Sequence, residues 1–185
     1  HAIDQETDRL NRMVGNILDL SRLEADAWHP KLEWTPVSEL IGMTLDQFSP
    51  DSNKRIDVNM SSSLTEINVD CVQMVQVIKN LVENALKYSK AEERIEINIF
   101  RDEDTAVIEV LDRGRGISDA DLEHLFEPFY RAKDLQESSV PGVGVGLAVC
   151  RGLVEAHRGS LIAKNRDNGG AIFRVNLPMQ PAGNP

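Results

Sequence analysis

An α/β two-layer sandwich with a mostly antiparallel, mixed sheet is the fold this sequence predicts. Three observations carry that prediction. Helix and strand patterns are interspersed, in the order helix, strand, helix, strands, helix, strands, helix, strands. Strand candidates come in pairs joined by short turns, such as Asp102-Glu103-Asp104 and Asn168-Gly169-Gly170, and such turns tie neighbours antiparallel. The pattern is not the regular strand–helix–strand alternation of a doubly wound parallel sheet.

Residues 1 to about 27 read as one long helix. Ile3, Leu10, Ile17 and Glu24 are seven apart, Met13 and Leu20 fill the second core position, and Val14, Leu18 and Leu23 widen the stripe. A heptad stripe of this length asks for a partner helix, from a preceding segment or from a second chain. A linker with Trp28 and Pro30 leads to a strand at Lys31–Trp34. Thr35-Pro36 opens a helix to about Phe48, with proline at its first position. Ser49 to Asn53 is a turn, and Arg55–Met60 and Thr65–Val69 are short strands around a serine-rich turn.

The next helix runs from about Asp70 to Tyr88, with Asp70 as N-cap and Gln73 as its capping-box partner. Val72, Val75, Ile78, Lys79, Val82 and Leu86 recur at helical spacing and form the expected core face. Arg94–Phe100 alternates as a half-buried strand, and Thr105–Leu111 returns beside it with Ala106, Ile108 and Val110 on one face. Ser118 caps a short helix to about Leu125. Residues 132–141 form a loop, Gly142 to Leu147 opens a helix to about His157, and Ser160–Asn165 and Ala171–Leu177 are the last strands.

Composition narrows the function classes. The chain has 185 residues and a formal net charge of −10, which disfavours nucleic acid as a partner, because phosphate backbones demand clusters of Lys and Arg. No run of 18 apolar residues is present, so no membrane span is expected. Cys71 and Cys150 lack metal-ligand spacing and read as buried thiols of a reducing compartment.

The chemistry concentrates in four segments. At ~100° per residue, Gln73, Gln76, Asn80, Glu83, Asn84 and Lys87 share one helix face. That face reads either as solvated surface or as a ligand face. Two asparagines one turn apart bring the second level with the first, since they are poor helix formers and their amide oxygens can converge on a hard cation such as magnesium. Lys87 can neutralise a phosphate. Asp112-Arg113-Gly114-Arg115-Gly116, at a strand end, reads as a tight turn or as a place where backbone approaches a flat ligand while a carboxylate meets an exocyclic amine. Phe126-Glu127-Pro128-Phe129-Tyr130-Arg131 reads as core packing or as the hinge of a lid, with Arg131 and Lys133 able to meet phosphate oxygens. Gly142-Val143-Gly144-Val145-Gly146-Leu147 reads as a hinge or as a phosphate cradle at a helix start. It is neither a dinucleotide fingerprint nor a P-loop.

Taken together and in this order, Asn80/Asn84, Asp112/Gly114/Gly116, Phe126/Phe129 and Gly142/Gly144/Gly146 resemble the N, G1, F and G2 boxes of sensor histidine kinases. Leu18-Asp19-Leu20-Ser21-Arg22-Leu23-Glu24-Ala25 is similar to the end of the second dimerisation-hairpin helix of that family. Residues 139–151 and 169–178 resemble the potassium-responsive KdpD subfamily. The resemblance implies a Bergerat (GHKL-type) fold that binds ATP and Mg2+. It makes residues 1–28 a truncated hairpin, 29–180 the catalytic domain and 181–185 a tail.

It further implies Asn84 as principal magnesium ligand with Asn80 near it, and Glu83 positioning water or the acceptor. Lys87 would meet phosphate, Tyr88 the base or ribose, and Asp112 the adenine amino group. Gly114, Gly116, Ile117, Phe129, Arg131, Gly142, Gly144, Gly146 and Leu147 would complete the nucleotide site. The implied partners are a second copy through the hairpin of the parent and a KdpE-like response regulator, with this chain the cytoplasmic domain of an inner-membrane sensor.

The sequence departs from the family pattern at Arg113, where the change would alter contacts near the ribose or lid, at Arg115, which brings a second charge, and mildly at Val145 and Arg158. The family's phosphoacceptor histidine motif is absent, since His1, His29, His124 and His157 all stand in other contexts. This fragment is therefore expected to hold ATP without phosphorylating itself. A degenerate nucleotide-sensing module is the alternative. A chaperone- or mismatch-repair-type ATPase is disfavoured, because Asn80 stands where those enzymes carry a glutamate.

Overall fold

The computed structural model describes residues 29–132 and 143–179, with Gly15 and Ser21 as isolated additions. The expectations for the long helix of residues 1–27, for the loop at 133–141, for Lys133 and Gly142, and for the tail lie outside the described residues.

Among the described residues, seven strands and five helices follow one another. They are β1 Glu33–Pro36, α1 Val37–Leu45, α2 Pro50–Asn53, β2 Ile56–Met60, β3 Glu66–Val69, α3 Cys71–Tyr88, β4 Ile95–Asp102 and β5 Thr105–Leu111, then α4 Asp119–His124, α5 Gly146–Ala156, β6 Ser160–Asn165 and β7 Ala171–Pro178. Five strands form the main sheet in the order β2-β4-β5-β7-β6. All its pairings are antiparallel except β2 with β4, which is parallel. β2 and β3 therefore do not pair, although only a short turn separates them. β3 instead pairs antiparallel with β1 in a separate two-stranded ribbon.

Helices α3 and α5 pack on each other and on one face of the main sheet, and α1 packs on α3 and β1. The side chains that fill the interface alternate along each strand: Ile95, Ile97 and Ile99 on β4, Ala106, Ile108 and Val110 on β5, and Ala171, Phe173, Val175 and Leu177 on β7 are all buried. Period-2 alternation sends the intervening residues to the far face. There Glu109 and Arg174 stand opposite each other in register and form an ion pair at 2.8 Å. β5, the central strand, is buried from Ala106 to Leu111 on both faces.

Several local expectations are corrected. The buried stripe of α3 is Met74, Val77, Ile78, Leu81, Val82 and Ala85, rotated from the stripe the spacing suggested. Val72 is 73% exposed, because at ~100° per residue it lies on the opposite side of the helix from Met74 and Leu81. Pro36 ends β1 and is the N-cap residue of α1 rather than its first helical residue, and the helix stops at Leu45. The Ser49–Asn53 turn is a single helical turn that Ser49 caps.

The capping box of α3 is only half formed. Asp70 Oδ1 accepts from the Gln73 amide at 3.1 Å, but the Asp70 amide donates to His157 Nε2 at 3.0 Å. A histidine at the end of α5 thus performs the reciprocal role expected of the Gln73 side chain, and it ties the start of α3 to the end of α5.

Candidate functional site

Asp112 leaves the end of β5 on the helix-facing side and is 5% exposed. Its Oδ1 accepts two backbone hydrogen bonds, from Gly114 at 2.8 Å and from Ala171 at 3.0 Å. Two amides on one oxygen fix the carboxylate's direction. Among the described residues, no hydrogen bond reaches its Oδ2. The next residue points the other way. Arg113 crosses to the far face of the sheet and pairs with Glu96 at 2.9 Å. The expectation that Arg113 alters the ribose or lid region is thereby corrected: strand alternation carries its guanidinium away from the carboxylate beside it. With Glu96, Arg94 and Asp57, it lines a polar groove of about 520 Å³ beside β2, distinct from the glycine segments.

Glycine at 114 is what lets the Asp112 loop meet the asparagine helix. A Cβ there would lie 2.5 Å from Tyr88 O and 3.1 Å from Asp112 Oδ1. The carboxylate and the last turn of α3, which carries Lys87 and Tyr88, are therefore within one side chain's reach. Lys87 Nζ sits 4.9 Å from the centroid of the Tyr88 ring, a cation–π distance. Gly116 adopts φ +76°, and a Cβ there would press on Asn165 Oδ1 at 2.9 Å. Ile117 is half-buried and its backbone is held by the same Asn165.

The polar face of α3 turns toward α5. Asn80, Glu83 and Asn84 are half-buried. Asn80 borders the Cys150 thiol of α5, which burial pushes up to about 12, with Asn80 opposing and Glu83 adding to the rise. That thiol is fully buried and contacts Val77 O at 3.8 Å. Sulfur is a weak acceptor, and Asn80 Nδ2 is buried without a hydrogen-bond acceptor among the described residues. An orphaned amide in this position costs stability until a ligand or water satisfies it. Because amide O and N are interchangeable by rotation, the same group can offer an oxygen to a cation or a donor to a phosphate. Among the described residues there is no cluster of three His, Cys, Asp or Glu, so a cation here would rest on the Asn80 and Asn84 amide oxygens and on ligand phosphates.

The aromatic and glycine segments meet each other. Phe129 N donates to Gly144 O at 2.9 Å. Gly144 has φ +79°, and a Cβ there would lie 2.5 Å from Tyr130 O. Phe129 itself has φ 66° and is 58% exposed, a strained backbone in a presented aromatic. Tyr130 is anchored by its hydroxyl on Asp121 at 2.7 Å. Arg131 is half-buried. Gly146 begins α5, and a Cβ there would meet no atom of the described residues within 4 Å, so those residues leave the helix start open to an approaching ligand. Leu147 packs against the core instead of facing that opening. Of the four histidines, His124 pairs with Glu127 at 2.8 Å, His157 is buried, and His29 is exposed in the linker.

The sequence analysis did not single out Asn165, Arg166 or Gly170. A Cβ on Gly170, φ +93°, would strike Asp112 O at 2.1 Å. The only local signal was the Gly169-Gly170 pair, read as a hairpin turn. That one of the two glycines serves the strand end across the sheet is a tertiary fact.

The fold and the four assembled segments define a class, and the comparisons agree with it. Residues 69–181 match the model of the histidine kinase-, DNA gyrase B- and HSP90-like ATPases, and the chain belongs to that family. The sensor protein KdpD of Escherichia coli K12 is 37% identical over 180 residues, which is 97% of this chain and 20% of that protein. The chain thus spans about a fifth of that relative's length. The catalytic domain of histidine kinase ThkA superimposes with TM-score 0.69 at 26% identity, covering 82% of this chain and 99% of that one. Full-length ShkA in complex with AMPPNP superimposes with TM-score 0.78 at 24% identity, covering 98% of this chain and 38% of that one.

Proposed function

We propose that this chain is the ATP-binding catalytic part of a KdpD-like sensor histidine kinase, and that it presents the γ-phosphoryl group of ATP to a histidine supplied from outside its own four. The observation that carries the reading is the contact of the Asp112 loop with the end of the asparagine helix. It sets a directed carboxylate beside Lys87 and Tyr88, one turn from Asn84. In this reading Asp112 accepts the adenine amino hydrogen on Oδ2, and Tyr88 borders the base or ribose. Asn84, with Asn80, holds Mg2+, and Lys87 meets phosphate. Gly142, Gly144 and Gly146 let backbone N–H groups approach the phosphates. Phe129, Arg131, Gly114, Gly116 and Ile117 shape the walls, and Leu147 supports the helix start from the core side.

Magnesium, when bound, supplies charge neutralisation across the phosphate oxygens. The chain's own contribution is positioning and electrostatics. In this reading Glu83, half-buried and next to Asn84 in the chain, orients water or the incoming imidazole. The signal of the parent, its pairing into a homodimer, its membrane attachment and its KdpE-like response regulator are proposals from the resemblance to KdpD. No described helix is long and apolar enough to cross a membrane.

The alternative of a nucleotide-sensing module without kinase activity drew on Arg113 and Arg115. The Arg113–Glu96 pair removes the first from the site. Titration with a non-hydrolysable ATP analogue, with and without magnesium, tests the main reading. Binding that tightens with magnesium and loses that dependence in Asn84→Ala supports it, whereas no saturable binding up to millimolar analogue overturns it.

A further inference from the structure

Two consecutive residues at the end of β6, Asn165 and Arg166, hold the two ends of the loop that presents Asp112. Asn165 acts as a peptide mimic. Its Oδ1 accepts from the Ile117 amide at 2.8 Å, and its Nδ2 donates to Ile117 O at 2.7 Å. That pair grips the far end of the loop, where Gly116 leaves space for the carboxamide. Arg166 grips the near end. Its Nη1 donates to Asp112 O at 3.1 Å, and both its Nη1 and Nη2 lie 3.3 Å from Glu96 Oε1.

Glu96 in turn is held from the other side by Arg113 at 2.9 Å. The Arg166 and Glu96 side chains are only 18% and 23% exposed, so the pair is shielded enough to hold one geometry. Planar guanidinium forks lose little freedom when they make such bonds. On the remaining side, Gly170 lets the β6–β7 turn close directly onto Asp112 O.

We infer that Asn165 and Arg166 are positioning residues that set the nucleobase selectivity of the site, by fixing the backbone from which Asp112 Oδ2 projects. The inference rests on the adenine-reading role given to Asp112. A carboxylate discriminates an amino from a keto group only if its free oxygen stays where the amine hydrogen arrives. With Oδ1 already spent on Gly114 and Ala171, that direction is set by the backbone, and the backbone is clamped by these two residues. Neither side chain has to touch the nucleotide.

The test compares dissociation constants for ATP and for inosine triphosphate, which carries a keto oxygen in place of the 6-amino group. Asn165→Ala and Arg166→Met weaken ATP roughly five- to tenfold, the scale of one lost hydrogen bond, and leave inosine triphosphate unchanged. Arg166→Lys, which keeps a donor, restores part of the preference. Amide exchange at Ile117 rises in Asn165→Ala. A wild-type preference in both variants overturns the inference, as does an equal loss for both nucleotides, which marks a merely structural role. Asp112→Asn serves as the reference. If that substitution leaves the preference intact, the adenine role of Asp112 itself fails, and this arm alone identifies that failure. Should Arg166→Met not fold, Glu96→Gln and Arg166→Lys read the same ratio.

Discussion

Gly114 shows how one missing methyl group assembles a site. The 2.5 Å approach of its Cβ position to Tyr88 O leaves no room for alanine without moving backbone, and Tyr88 O belongs to a helix end that cannot retreat cheaply. Gly114→Ala is expected to cost about 1–3 kcal/mol of stability, the usual scale for overpacking, and to weaken ATP-analogue binding more than stability loss explains. Chemical denaturation and titration on the same variant separate the two effects. Gly146→Ala is the contrast, because its Cβ would enter open space. It leaves stability near wild type, and any lost affinity then reports directly on ligand approach at the start of α5.

At the scale of elements, α3 is held at its first turn by two groups, Asp70 and His157. Asp70 caps Gln73, so Asp70→Ala is expected to cost ~1 kcal/mol, as N-cap deletions do, measurable as a shift in denaturation midpoint. His157 accepts the Asp70 amide on Nε2 and donates from Nδ1 to Leu153 O at 2.7 Å, which requires the neutral ring. Burial lowers its pKa from the ordinary 6.5, partly opposed by the Leu153 carbonyl and Asp70. A folded value below the unfolded one means that the unfolded chain takes up the proton first. The contribution of His157 is therefore intact above 6.5 and is lost as pH falls through the lowered folded value.

His124 works in the opposite sense. The hydrogen bond that its Nδ1 donates to Glu127 raises its pKa, so its small exposed contribution is present in acid and fades as pH rises. His157→Gln keeps an acceptor without a titrating proton. Its stability should lack the decline expected of the wild type as pH falls below 6.5, and an unchanged profile would show that the Asp70–His157 bond carries no proton linkage.

For the whole molecule, the helix layer and the sheet together decide what the chain can do alone. Among the described histidines, one is paired with a glutamate, one is buried and one lies in the linker. Incubation with labelled ATP is expected to leave no stoichiometric acid-labile phosphate on the chain. A supplied acceptor domain should become labelled, and Asn84→Ala should abolish that transfer. Labelling of the isolated chain would contradict the proposed division of roles.

Much of this molecule was legible in one dimension. The hairpin turns, the alternating strands, the Asp70 N-cap and the ordered set of asparagine, aspartate and glycine segments are local patterns, set by backbone sterics and by the periods of helix and strand. Tertiary structure alone decided the rest. It separated β2 from β3 into different sheets, rotated the buried stripe of α3, and sent Arg113 to the far side of the sheet. It also brought His157 to the start of a helix 87 residues away and Asn165 and Arg166 to the loop that carries Asp112. These are contacts between distant segments, made by side chains whose local sequence favours no particular partner, and only packing of the helix layer on the sheet selects them.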